Sequence, residues 1–124
     1  MQHYIYTLSV RNLQDKDAFD RLCSYLEGDM PVFKDPIIGY ALSSGTFHEQ
    51  RHAATFDPTD AVRWSTHEED MIVLSRLMPD VTFQLSGEEE FGEERWEKYF
   101  QNGTWEACYE QRCIPKPQLI AWQE

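Results

Sequence analysis

An Asn-Gly pair at Asn102-Gly103, flanked by alternating runs, constrains this chain more than any other stretch. A type I′ turn needs positive φ at both central residues, and Asn-Gly supplies it at the lowest cost. Closing a two-residue turn there sets Phe100 opposite Trp105, Lys98 opposite Ala107 and Trp96 opposite Tyr109 on one face. The other face then carries Arg95 opposite Glu110, Tyr99 opposite Glu106 and Glu97 opposite Cys108. The first face is mostly aromatic and seeks a core. The second is mostly polar and is left for water or a partner.

The rest of the chain supplies that core. His3 to Val10 alternates and reads as a first strand. Leu13 to Gly28 reads as a helix with Asp15 as N-cap, a buried stripe of Phe19, Leu22, Cys23 and Leu26, and Gly28 as its stop. Asp29 to Pro36 is expected to be a loop, Ile37 to Leu42 a strand, and Thr46 to Phe56 a returning strand or a short helix. Asp57 to Arg63 reads as loop. Ser65 with Glu68 forms a capping-box pattern, which predicts a helix with Met71, Leu74, Leu77 and Met78 buried and Pro79 as its stop. Val81 to Leu85 alternates as a strand, Ser86 to Glu94 reads as an acidic loop, and the hairpin follows. Pro115 and Pro117 end the sheet, leaving residues 115–124 as a tail with Trp122 as a potential anchor. This order implies a single α+β domain over 1–124. Its expected form is a mostly antiparallel sheet with two helices on one face, a ferredoxin-like core and a C-terminal β-hairpin.

The net charge is −11, from 22 acids and 11 bases. Such an excess repels nucleic acid, so direct nucleic-acid binding is not expected. It attracts basic protein surfaces. Between His67 and Glu97 stand ten acids and two bases, so this segment carries most of the excess. A negative strip of this kind is expected to occupy a nucleic-acid-binding groove. The candidate partner-binding residues are Glu88, Glu89, Glu90, Phe91, Glu93, Glu94 and Tyr99. The run lacks the alternating ligands of a calcium-binding loop.

His48-Glu49-Gln50-Arg51-His52 spells H-E-x-x-H. On a helix the two histidines would share a face and hold zinc, with Glu49 as base, giving a small zinc hydrolase or peptidase as one alternative function; the other is a protein-interaction module whose acidity only keeps it soluble. On a strand or loop that spacing loses its meaning, and Arg51 departs from the uncharged residues typical of zincins. No metal, no cofactor and no catalytic set is therefore expected. The three cysteines, Cys23, Cys108 and Cys113, match neither a disulfide framework nor a zinc pattern. Cys108 and Cys113 are expected on one strand with opposite facings, reduced, in a cytoplasmic protein. The opening MQHYIYTLSVRNL lacks a basic stretch followed by an apolar core and is not expected to act as a secretory signal, no apolar run approaches membrane-spanning length, and no membrane association is expected.

The block from Arg63 to Glu106 resembles the C-terminal signature of the YubB-like ferredoxin-fold proteins of phages, plasmids and integrated elements. The resemblance rests on Trp64, His67-Glu68-Glu69-Asp70-Met71, Pro79-Asp80-Val81, Phe83, Gly87-Glu88, Trp96, Tyr99-Phe100 and Asn102-Gly103. It implies the fold already read from the residues and a mobile-element setting. Members of that family mostly lack a known activity, so no catalytic residue carries over. The functional expectation is a non-enzymatic inhibitor of a host nucleic-acid-handling defence protein. It would be anti-CRISPR-like and act by mimicry of nucleic acid on the basic surface of its partner, in the host cytoplasm.

Overall fold

The computed structural model describes residues 3–27, 32–92, 94–109 and 112–115. In chain order the elements are β1 (Tyr4–Arg11), α1 (Lys16–Glu27), α2 (Pro36–Ala41), β2 (Gly45–His48), a 3-10 turn (Glu49–Arg51), β3 (Ala53–Phe56), α3 (His67–Leu77), β4 (Thr82–Glu89), β5 (Arg95–Gln101), β6 (Thr104–Tyr109) and β7 (Arg112–Pro115). One sheet holds them in the order β2-β3-β1-β4-β5-β6-β7, and every adjacent pair is antiparallel. The first four strands with α1 and α3 make the ferredoxin-like interleaving, in which β1 lies between β3 and β4. Strands β5 to β7 extend that sheet as a meander.

The hairpin forms as its sequence requires. Asn102 and Gly103 have φ of 46° and 82°, and the register pairs Trp96 with Tyr109, Lys98 with Ala107 and Phe100 with Trp105. Alternation buries one face of the sheet. Tyr6, Leu8 and Val10 of β1, Phe83 and Leu85 of β4, and Trp96 and Phe100 of β5 join the buried residues of the helices in one core. Asp15 caps α1 by accepting from the Ala18 N–H at 2.9 Å, and Phe19, Leu22 and Leu26 face inward as its spacing predicts. Cys23 lies half-buried beside them.

Several elements differ from the sequence reading. Residues 37–42 are not a strand but the body of α2, with only Leu42 lying just past its end. Asp35 accepts from the Ile37 N–H at 3.1 Å and Pro36 occupies the first turn, so a capped Asp-Pro start outweighs the β-branched pair that follows. Residues 45–56 form the β2–β3 hairpin, with the 3-10 turn between. Helix α3 starts at His67 behind Thr66, so Ser65 and Glu68 do not make a capping box. Its inward stripe is Asp70, Met71, Leu74 and Ser75, and Leu77 is exposed. Strand β4 continues to Glu89, which shortens the acidic loop to a turn. The second hairpin strand ends at Tyr109, and Arg112–Pro115 returns as β7. The tail residues 116–124, Trp122 included, lie outside the described residues.

Gly39 marks the closest approach of α2 to α1: a Cβ there would stand 1.8 Å from the Leu26 carbonyl oxygen. Helix propensity alone would favour alanine by about 1 kcal/mol. The clash with backbone dominates, so Gly39→Ala is expected to destabilise the fold by about 1–3 kcal/mol. A lower urea midpoint with an unchanged slope would show it.

Candidate functional site

Two groups of polar residues stand out, one under α3 and one on the opposite face of the sheet. The first centres on Lys98, which alternation on β5 turns into the core, leaving it 3% exposed. Its Nζ donates to Glu68 Oε2 at 2.6 Å and to His67 Nε2 at 2.8 Å. It also lies 4.3 Å from the centroid of the Trp96 ring, a cation–π contact. The His67 tautomer follows from its neighbours. Nδ1 carries the proton and donates to the Trp64 carbonyl at 3.0 Å, leaving Nε2 as acceptor. The imidazole stacks on Trp96 at 4.9 Å between centroids.

Burial, followed by the charge of Lys98, lowers the His67 pKa to about 4. Burial likewise lowers that of Lys98, against the pull of Glu68. A second latch lies beside the first. Asp70, buried, accepts from Trp64 Nε1 at 2.7 Å and from Thr66 Oγ1 at 2.9 Å. Tyr6 packs edge-on against Trp64, and burial raises its phenol pKa. The Lys98 amine is a donor on every side, hydrogen-bonded to a carboxylate and an imidazole and capped by an indole. That arrangement holds the first turn of α3 over β5, and it gives the amine no open approach for a reactant.

The second group lies on the face away from the helices. Glu88 of β4, Glu97 of β5 and Glu106 of β6 are exposed there. The register pairs Glu88 with Arg95, Ser86 with Glu97 and Tyr99 with Glu106, so each carboxylate sits two residues further along than the last. Strand spacing and rise put successive members about 8 Å apart on a diagonal. Tyr99 lies on this face, and its hydroxyl donates to Glu97 Oε2 at 2.7 Å. That bond, above all, raises the Tyr99 pKa. Glu90 and Glu94 are exposed at the β4–β5 turn, where Phe91 projects with 82% of its surface free. Glu89 departs from expectation. It follows Phe83, Leu85 and Gly87 onto the helix-covered face and is buried, so it does not present its carboxylate to a partner. Glu93 lies outside the described residues. Glu97 and Glu106 were not among the candidates from sequence, although the hairpin register already put both on the polar face.

The H-E-x-x-H residues do not converge. His48 ends β2 and contacts Thr55 Oγ1 at 2.9 Å, whereas His52 sits in a left-handed turn and donates from Nδ1 to the Gln14 carbonyl at 3.1 Å. Among the described residues no three His, Cys, Asp or Glu side chains are grouped to hold a metal ion. Cys108 is disulfide-bonded, which corrects the expectation of reduced thiols. Cys108 and Cys113 stand on neighbouring strands, β6 and β7, and not on one as the sequence suggested. No helix among the described residues is long and apolar enough to cross a membrane.

No family model, curated protein or solved structure matches this chain.

Two measurements test the latch. The unfolded chain takes up the His67 proton near pH 6.5 and the folded chain only near 4, so stability falls as pH drops through that window. His67→Gln keeps an acceptor for Lys98 and removes the titration. Its stability is expected to change less steeply than the wild type's between those limits in denaturant titrations. Glu68→Gln strips Lys98 of its counter-charge. It should cost about 1–3 kcal/mol, below the range for fully buried pairs because the Glu68 side chain is 37% exposed. Lys98→Met, which removes the charge and keeps the stem, should cost less than Glu68→Gln.

Proposed function

We propose that this chain is a non-enzymatic acidic binding protein. In this reading its open sheet face occupies a basic, nucleic-acid-binding surface of another protein and displaces nucleic acid from it. The observation that carries the reading is the diagonal of exposed carboxylates, Glu88, Glu97 and Glu106, continued by Glu90 and Glu94 at the β4–β5 turn. A regular row of negative charges on one face of a sheet is what a groove built for phosphates attracts. The net charge of −11 adds long-range steering to the encounter. Tyr99 stands within the row and Phe91 beside the turn, where they would supply contact area.

The resemblance of Arg63–Glu106 to the YubB-like proteins adds a mobile-element origin to the proposal. The partner is then a host defence protein that handles nucleic acid, a CRISPR effector among them, and the site of action is the host cytoplasm. The zinc-hydrolase alternative draws no support, since His48 and His52 bond to different parts of the chain.

The test is a pull-down from cells carrying nucleic-acid-targeting defence systems. One basic nucleic-acid-binding protein is expected at low salt, released by high salt or by added DNA or RNA. The triple substitution Glu88→Lys, Glu97→Lys, Glu106→Lys should abolish capture while leaving the melting temperature within a few degrees of wild type. A partner that resists competing nucleic acid, or that the triple variant still captures, would remove the mimicry.

A further inference from the structure

We propose that Asn102 is a latent self-modification site, converted to aspartate and isoaspartate by attack of the Gly103 nitrogen, and that Ser75 of α3 holds this reaction in check. Asn102 is exposed, and the residue after it has no side chain to shield its backbone nitrogen. An Asn side-chain amide followed by glycine is the pairing in which that nitrogen reaches the amide carbon with least hindrance. The step balances with water alone. The Gly103 N–H loses its proton, the nitrogen bonds to Asn102 Cγ, and ammonia leaves, closing a five-membered succinimide. Water then opens either carbonyl. Opening at Cγ leaves aspartate in the normal backbone. Opening at the main-chain carbonyl leaves isoaspartate, joined to Gly103 through its side chain.

The fold withholds the nucleophile. The Gly103 N–H donates to Ser75 Oγ at 2.9 Å, and Ser75, fully buried, donates its own hydroxyl to the Ile72 carbonyl at 2.8 Å. Gly103 is itself buried, and the Arg76 side chain lies so close that a Cβ on Gly103 would stand 2.5 Å from its Nε. The turn is also closed from its flanks, since Gln101 pairs with Thr104, whose hydroxyl donates to the Gln101 carbonyl at 2.8 Å. To react, the nitrogen must leave Ser75, meet base and rotate toward Cγ. The first two steps are those of amide hydrogen exchange, so both processes share one opening event. The two products act differently on the hairpin. Aspartate tolerates the left-handed φ of 46° much as asparagine does, and adds a charge. Isoaspartate lengthens the backbone of a two-residue turn by a methylene. That breaks the match which sets Phe100 opposite Trp105 and Gly103 against Ser75. The pin to α3 thus sets how long a chain keeps its native hairpin. The inference does not depend on what the carboxylate row binds.

The experiment uses the full chain, held at mildly alkaline pH in native buffer and, in parallel, unfolded in guanidinium chloride. Conversion is read from the peptide containing Asn102 by its shift from amide to acid mass, and isoaspartate by enzymatic methylation of the same peptide. The unfolded chain should convert roughly tenfold faster than the folded one, or more. Folded Ser75→Ala should convert about three- to tenfold faster than wild type, the factor that loss of one buried hydrogen bond implies, and exchange of the Gly103 amide should accelerate with it. Gly39→Ala lowers global stability without touching the turn, so its folded conversion rate should match the wild type's. No conversion in the unfolded chain, equal rates folded and unfolded, or a Ser75→Ala rate no higher than that of Gly39→Ala would each overturn the proposal. The first two comparisons need no variant to fold.

Discussion

Much of this architecture depends on how α3 is pinned to the extended sheet. Helix α3 reaches β5, beyond the four strands of the ferredoxin-like core, through the contacts of Lys98 with His67 and Glu68. Pinning recurs at the far end. Ser75, buried in α3, accepts from the Gly103 N–H at 2.9 Å, so the turn of the hairpin is tied to the same helix. Polar contacts thus fix both ends of α3 while Met71 and Leu74 fill the space between. Sliding or rotating the helix by a position would unseat Met71 and Leu74 and break the polar contacts together. A buried ammonium between a carboxylate and an imidazole tolerates no such shift, because moving either partner leaves a desolvated charge. The latch is better understood as setting register than as adding stability.

The same logic explains what could be read from sequence. The hairpin was legible residue by residue, because Asn102-Gly103 determines register and a period of two then assigns every side chain to a face. Helix α1 was legible from Asp15 and an apolar stripe of the right spacing. Failures came where local signals competed. Ile37-Ile38 suggested a strand, but Asp35 and Pro36 satisfy and pre-shape the first turn of a helix. In α3, apolar residues were assigned inward, yet Asp70 and Ser75 are buried and Leu77 is not. Buried polar positions are visible only once their partners are known, and Trp64 and Gly103 lie six and 28 residues away. Glu89 failed for a related reason: five acids in one run suggested a loop, but the alternation from Phe83 continues through them.

The acidic face follows from the extension of the sheet. Strands β4, β5 and β6 each carry one exposed glutamate on the face away from the helices, and the two-residue offset from strand to strand turns three separate side chains into a row. Repulsion between neighbours about 8 Å apart in water is about half a kcal/mol, and salt reduces it further. The fold therefore bears the row at small cost. Several bases that could neutralise it are engaged elsewhere. Lys98 is held under α3, Lys34 pairs with Glu69, and Lys16 pairs with Asp20. Arg95 stands across from Glu88 at one end of the row.

These two faces place different demands on one strand. Along β5, Trp96, Lys98 and Phe100 are committed to the core, and Arg95, Glu97 and Tyr99 to the open surface. A substitution at an even-numbered position of β5 therefore acts on the packing of α3, whereas one at an odd-numbered position acts on the charge pattern. The separation is not complete at Glu97. Its carboxylate accepts from Tyr99 at 2.7 Å and from Gln84 at 3.3 Å, bonds that orient it above β4 and β5. An oriented carboxylate has already lost side-chain freedom that a mobile one would lose on contact. Within the row, Glu97 is thus the member best prepared to meet a fixed cation, with Glu88 and Glu106 on either side extending the field.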